Sequence, residues 1–280
     1  MKINDFELYR DLLLRYSGLS LPAEKTYLLD SRLTPIARKW GYPTLEAMTL
    51  ALRGIPDATL VGEVVEAMTS KDTSFFRDMT PFMALGDRII PAIIKAKGRR
   101  RELRIWCAGC STGQEAYSVA MVLKDQEVKL KGWQVEIFAT DLSVDAIRKA
   151  RTGNYSQFEV QRGLPIAYLM KYFDELDDSW RLHDNVRNLV TFEQMNLLDS
   201  YDDLGGFDII LCRNVLGHFD DEKRNYIVDR MADCLNDNGY ILFGLDEKPG
   251  RIDSIQLLEG TDGFYGLTGG KYDLPALKAS

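Results

Sequence analysis

Up to about Met68 the apolar positions recur at helical spacing, and no run of alternating β-branched residues interrupts them. Ala23 to Trp40 is the clearest segment: Leu29, Leu33, Ile36 and Trp40 fall on one face of a helix. Lys25, Arg32 and Lys39 recur every seventh residue. That spacing drifts by only about 20° per step, so the three predict a basic stripe beside the apolar face. A solvated helix flank has the same pattern. Gly41-Tyr42-Pro43 ends the segment, and Thr44 is suited to cap the next helix, Leu45 to Arg53.

From Leu103 the rhythm changes. Leu103 to Ala108 reads as a short buried strand, followed by a glycine-containing turn and a helix from about Gln114 to Lys124. Val135 to Ala139 is a second strand and Val144 to Arg151 a second helix. Phe207 to Leu211 is a third strand, with a helix running on through Leu235, and Tyr240 to Phe243 a fourth. Strands alternating with helices predict an α/β domain built on a parallel, doubly wound sheet. The stretch from about Gly153 to Val190 is too long for a plain connection and predicts a small insertion. The basic run Lys95 to Arg101 marks the junction with the helical segment. The expected domains are therefore 1–68 (helical), 69–101 (a linker that contacts the ligand) and 102–280, with the insertion at about 153–190.

The chain's 280 residues suffice for a full core. No apolar stretch approaches membrane-spanning length, and the N-terminus lacks a basic-then-apolar leader, which predicts a cytoplasmic protein with no membrane insertion. Four cysteines (Cys107, Cys110, Cys212, Cys234) are too few for a disulfide framework. A net charge of −7 argues against general nucleic-acid binding, which requires an excess of Lys and Arg.

The segment from Ala108 to Glu115 admits three readings. Cys107-x-x-Cys110 is a redox or metal pair only in outline, since no second CxxC exists; the expected metal count is none. Gly109-Cys-Ser111-Thr-Gly113 matches a nucleophile elbow, but His183 and His218 are the chain's two histidines and His183 falls in the insertion. The third reading is a nucleotide-type loop: Gly109 and Gly113 allow close backbone approach, and the following helix presents its N-terminus. Asp141 ends the second strand, where a carboxylate can accept both hydroxyls of a ribose. Together these point to a cofactor containing adenosine.

Thr69-Ser-Lys-Asp-Thr73-Ser-Phe-Phe-Arg77-Asp78 resembles the TTNETSFFRE signature of the chemotaxis receptor methyltransferases, the CheR family. Similar segments follow in that family's order: Trp106 to Ser118, Ala139-Thr-Asp141, Met195-Asn196-Leu197-Leu-Asp199 and Phe207 to Val215. Tyr27 to Leu33 also resembles its helical domain. The resemblance implies a Rossmann-like class I methyltransferase domain, an N-terminal all-helical domain and a small inserted β-subdomain. It implies S-adenosylmethionine as cofactor, contacted by Thr73, Arg77, Glu115, Asp141, Asn196, Leu197, Arg213 and Asn214. Arg77 or Arg213 can pair with the cofactor's carboxylate, and Glu115 can face its ammonium. It implies methyl transfer to glutamates on chemoreceptor helices by a monomer, with Arg77 and His218 at the catalytic centre and Lys25, Arg32 and Lys39 steering the acidic helix. A glutamate is ionised near neutral pH, so no general base is needed.

Three positions depart from the family pattern. Lys71 stands where Asn is usual, His218 where a Tyr is usual, and Gly244-Leu-Asp-Glu247 where Gly-His-Ser-Glu is usual. The insertion, around Tyr172 to Trp180, lacks the glycine-rich loop of members that tether to a receptor's C-terminal peptide. Alternative functions are a cofactor-binding adaptor without turnover and a small-molecule methyltransferase on the same fold.

Overall fold

The structure, a computed structural model, describes residues 3–275 apart from Arg251, Gly260 and Asp262, so Met1 and Lys2 of the N-terminal segment considered above lie outside it. The chain divides into two compact units, Met1–Ser70 with Gly217–Lys223, and Lys71–Leu216 with Arg224–Ser280.

The first unit is built on α1 (Ile3–Ser17), α2 (Tyr27–Lys39), α3 (Leu45–Leu52) and α4 (Ala58–Met68). The expected helix Ala23 to Trp40 is in fact a 3-10 turn (Ala23–Lys25) leading into α2. Leu29, Leu33 and Ala37 form its buried face, packed on α3 and α4, while Ile36 and Trp40 are half-buried. Thr44 Oγ1 accepts from Ala47 N (3.2 Å), as its position before α3 requires. Asp57 caps α4, accepting from Thr59 N (2.7 Å) and Leu60 N (3.2 Å). The buried Tyr9 hydroxyl bonds Thr49 Oγ1 at 2.9 Å, and burial pushes its pKa up to about 12.

The second unit opens with α5 (Thr80–Ala84) and α6 (Ile90–Lys97), joined by a π-turn (Leu85–Ile89). β1 (Glu102–Ala108), α7 (Gln114–Asp125), β2 (Gln134–Asp141) and α8 (Val144–Thr152) follow. The insertion contains β3 (Asn154–Ser156), α9 (Gln157–Gln161), α10 (Ile166–Tyr172), β4 (Phe173–Leu176), β5 (Ser179–Leu182) and α11 (Asp184–Arg187). Then come β6 (Val190–Gln194), β7 (Phe207–Cys212), α12 (Asp221–Asp233, its first turn grouped with the first unit), β8 (Leu235–Phe243), β9 (Ile255–Leu257) and β10 (Phe264–Leu267).

The main sheet runs β6-β2-β1-β7-β8-β10-β9. Its first five strands pair in parallel, and β10 and β9 close it antiparallel. β7 sits centrally, and all six of its residues are buried, which is why it reads as an apolar run and not as an alternation. Its Asp208 is 2% exposed and fully engaged: it accepts from Lys97 Nζ (2.7 Å), Arg104 N (2.9 Å) and Asn236 Nδ2 (2.8 Å). α12 stops at Asp233, and Leu235 pairs instead with Phe207 at the start of a strand with a register shift. The insertion forms its own antiparallel sheet, β3-β5-β4. Phe75 and Phe76 bind the segment before α5 to it. Phe75 meets Tyr155 (4.9 Å between centroids) and Phe173 (5.7 Å) edge-on, and Phe76 packs on Tyr168 (4.8 Å).

Candidate active site

The strand order reverses at β1, whose neighbours are β2 on one side and β7 on the other. In a doubly wound sheet such a reversal opens a crevice beyond the carboxyl ends of the strands. The loop after β1 is fixed there through its backbone. Gly109 N (2.8 Å) and Cys110 N (2.9 Å) both donate to Thr140 O, and Trp106 Nε1 donates to Thr140 Oγ1 (2.9 Å). Gly109 has φ 77°, and a Cβ there would stand 2.4 Å from Val215 Cγ2, so only glycine lets the β1 and β7 loops touch. Asp141 ties the loop to β2: Oδ2 accepts from Ser111 N (2.7 Å) and Oδ1 from Ser143 N (2.9 Å). Ser111 Oγ is buried with no hydrogen-bond partner among the described residues.

Glu115 lies in the first turn of α7, where the helix dipole favours a negative charge, and it is 9% exposed. Burial raises its pKa above the usual glutamate range, and the neighbouring Arg213 acts against that rise. Arg213, just beyond β7, has a side chain only 1% exposed. Nη1 donates to Glu115 Oε2 (3.1 Å), and Nη2 donates to Asp78 Oδ2 (2.8 Å) and to Arg77 O (2.8 Å). Its guanidinium lies 5.3 Å from the centre of the Phe82 ring. This buried cation therefore joins three segments: the one before α5, the start of α7 and the end of β7. Arg77 is held loosely by comparison. Its side chain is 34% exposed, and Nη1 lies 3.7 Å from Asp72 Oδ2, a carboxylate also bound by Arg162 at 2.7 Å. Between the two arginines, Arg77 is the one able to turn toward an added carboxylate.

On the far side of β7, Asn214 is left-handed (φ 59°), and its N donates to Glu247 Oε2 at 2.5 Å. Beyond β6, Asn196 Oδ1 accepts from Leu198 N (3.0 Å), while Leu197 is 6% exposed. β2 and β6 stay joined there through Met195 N donating to Asp141 O (3.0 Å).

A family model, CheR methyltransferase, SAM binding domain, matches residues 71–261, and the CheR methyltransferase all-alpha domain matches residues 4–69. The chain belongs to the CheR methyltransferase family. It is 38% identical over 265 residues to a chemotaxis protein methyltransferase 1 of Pseudomonas aeruginosa, covering 93% of this chain and 96% of that one. The corresponding figures are 36%, 93% and 96% for a protein of Pseudomonas putida named chemotaxis protein methyltransferase Cher2. For a chemotaxis protein methyltransferase of Vibrio parahaemolyticus they are 35% over 269 residues, 94% and 96%.

The CheR cofactor, S-adenosylmethionine, fits the residues present. Glu115 offers a buried carboxylate for an ammonium, Arg77 a partly exposed guanidinium for a carboxylate, Asp141 a strand-end carboxylate suited to hydroxyls, and Ser111 a buried hydroxyl with no partner among the described residues. The structure brings Arg77, Glu115, Arg213 and Asn214 to the β1 and β7 loops, and Asp141, Asn196 and Leu197 to the neighbouring strand ends. Thr73 is half-buried in the segment leading to Phe75.

The other four expected site residues belong to the first unit. His218 ends a 3-10 turn (Leu216–His218), and its carbonyl accepts from Ser20 N at 2.7 Å. Lys25 lies in the turn ahead of α2. Arg32 spends its Nη1 on the last carbonyls of α4, Met68 O and Thr69 O at 3.0 Å each. Lys39 pairs with Glu63 at 2.8 Å. Two of the three charges of the expected stripe therefore also tie α2 to α4, and Lys39 stays largely exposed while doing so.

Burial pushes the Cys107 and Cys110 thiols well above their ordinary value, which disfavours the thiolates that redox exchange or metal binding requires. His183 pairs with Asp174 (3.2 Å) within the insertion. Asp78 and Glu247, central to the geometry, have no role that their position in the sequence motifs shows. Their signal was proximity to Phe75-Phe76-Arg77 and to the strand end at Gly244.

Proposed function

We propose that this chain transfers the methyl group of S-adenosylmethionine to glutamate side chains on the cytoplasmic helices of methyl-accepting chemotaxis receptors. The observation that carries the reading is the buried Glu115–Arg213 pair, with Asp78 on the same guanidinium, beside the anchored Asp141, in a chain of the CheR family. When bound, the cofactor supplies an activated methyl electrophile on its sulfonium. The chain's own residues bind and orient. Arg77 holds the cofactor's carboxylate, Glu115 faces its ammonium and Asp141 accepts the ribose hydroxyls. Thr73, Asn196, Leu197 and Asn214 line the rest, and Arg213 acts through Glu115. The acceptor glutamate is already ionised near neutral pH, so no residue needs to remove a proton. The enzyme contributes alignment and exclusion of water from the attacking oxygen. His218, in place of the family's tyrosine, orients the acceptor carboxylate, and Lys25 with the exposed Lys39 draws in the acidic helix.

The protein acts in the cytoplasm as a monomer and without a C-terminal tether. In support, β4 and β5 join through only Asp177 and Asp178, so the hairpin has no glycine-rich loop. Among the described residues no helix is long and apolar enough to cross a membrane.

The test is transfer of label from radiolabelled S-adenosylmethionine to receptor-containing membranes, with Arg77→Ala alongside. Base-labile label on the receptor, lost in the variant, supports the reading. Tight cofactor binding with no label on any receptor would replace it with that of a cofactor-binding adaptor.

A further inference from the structure

Gly244 and Glu247 stand at the carboxyl end of β8, where this chain departs from its family's usual block, and neither has been given a part in the reaction. Glu247 turns its carboxylate back across the strand ends. Oε2 accepts from two backbone groups, Asn214 N at 2.5 Å beyond β7 and Gly244 N at 3.0 Å beyond β8. One carboxylate oxygen therefore staples two neighbouring parallel strands at the edge that holds the site. Asn214 needs the staple because its φ of 59° is a left-handed conformation that L-residues hold only where their surroundings enforce it. Asn tolerates that region better than most residues, which suits it to the position.

Gly244 is the other half of the device. A Cβ at this position would lie 2.7 Å from Glu247 Oε2, 3.0 Å from Asn214 Nδ2 and 3.1 Å from Asn214 N. A side chain here would push apart the groups that the staple joins. The glycine and the glutamate three residues later are thus one unit, and the pair between them, Leu245 and Asp246, is exposed.

From this geometry we infer that Glu247 is a positioning residue for the methyl-transfer site: it fixes the left-handed turn at Asn214 and so the aim of the Asn214 and Arg213 side chains. Arg213 is the residue before that turn and carries the contacts to Glu115 and Asp78, so a change at Asn214 is transmitted to the ammonium-facing carboxylate. The negative charge of Glu247 also acts on Glu115, raising its pKa alongside burial while Arg213 and Arg77 lower it. The inference rests on the function proposed above.

The test is calorimetric binding of S-adenosylhomocysteine and methyl-transfer kinetics for the parent, Glu247→Ala, Glu247→Gln and Gly244→Ala, each checked by thermal unfolding. Loss of charge-assisted bonds that hold a binding loop is expected to weaken binding about tenfold or more in Glu247→Ala. Glu247→Gln keeps an acceptor oxygen and should recover a large part of that loss, whereas Gly244→Ala should resemble Glu247→Ala. The effect should fall on cofactor affinity and on KM for the cofactor, with the KM for receptor unchanged. Equal binding by Glu247→Ala and the parent overturns the inference, as does a Gln variant as impaired as the Ala variant. Should Glu247→Ala fail to fold, the Gln and Gly244→Ala variants decide it in the same terms. A parent that neither binds the cofactor nor transfers methyl refutes the proposed function instead, and the two failures are distinct.

Discussion

Replacing Arg213 by Met isolates the energetic role of the buried cation, because Met fills a similar volume without charge. In the structure the guanidinium serves two carboxylates of unequal burial: the Glu115 side chain is 12% exposed and that of Asp78 31%. Asp78 can rehydrate when its partner is removed; Glu115 cannot. Breaking a buried pair by deleting one partner costs about 3–5 kcal/mol, and the exposure of Asp78 places this case near the lower end. For a domain of this size about 3 kcal/mol lowers the thermal midpoint by about 6–12 °C. The assay is unfolding followed by circular dichroism, with Glu115→Gln made in both backgrounds. Glu115→Gln should destabilise the parent but recover about 1 kcal/mol or more in Arg213→Met, since there it removes an orphaned charge. The sign with pH is also fixed. Burial raises the folded pKa of Glu115, so between the unfolded and folded values the folded state binds the extra proton, and stability falls as pH rises through that window. Without Arg213 the rise grows, so acidification from neutral pH should restore part of the lost stability. Unchanged stability in Arg213→Met, or additive effects of the two substitutions, would refute the argument.

Arg77→Ala should weaken S-adenosylhomocysteine binding about ten- to a hundredfold by calorimetry, as expected for a charge-assisted contact, and leave the thermal midpoint nearly unchanged, since its intramolecular contacts are a half-exposed carboxylate at 3.7 Å and the Asp72 carbonyl at 3.5 Å. Cofactor binding should decline on acidification from a higher pH than an ordinary glutamate would give, because Glu115 takes up its proton early; an acid limb at or below the usual glutamate value, followed by calorimetry across pH, would contradict that assignment. Thiol titration of the native protein should find Cys107, Cys110 and Cys212 unreactive, being fully buried with raised pKa values, and leave slow labelling to Cys234, which is half-buried.

The parallel strands β1, β2 and β7 were legible because burial on both faces makes a short strand a run of apolar residues, as Phe207–Cys212 shows. β6 was not, because it is an edge strand in which only Phe192 is buried and Thr191, Glu193 and Gln194 face solvent. β10 carries Gly266 within its four residues, and the first half of β8 holds Asn236 and a left-handed Asn238, so neither has a strand's composition. The site residues at strand ends were legible where the chemistry is local, as at Asp141. The division of labour between Arg77 and Arg213 was not, because it depends on Glu115 and Asp78, which reach Arg213 from 98 and 135 residues away along the chain. Helical spacing likewise shows which charges share a face but not that Glu63 and the end of α4 engage two of them.

Backbone strain explains why the motifs take the form they do. Among the described residues six non-glycine positions have positive φ, and five of them, Phe76, Asp78, Met79, Ser111 and Asn214, lie in the segments that carry the site. Such conformations persist only where contacts over-determine them. Here the contacts can be named: Phe76 N donates to Ser118 Oγ (2.9 Å), Asp78 is held by Arg213, Ser111 N by Asp141 and Asn214 N by Glu247. An acceptor that is already ionised leaves an enzyme little acid–base work, so the remaining means of acceleration is accuracy of placement. A site of that kind concentrates its polar side chains on holding backbone rather than on moving protons. Three of the four holding residues are charged, and they hold backbone or a neighbouring loop in place of forming an acid–base pair. Their substitution should therefore appear first in cofactor affinity and alignment, and not as a lost ionisation in the pH profile of the chemical step.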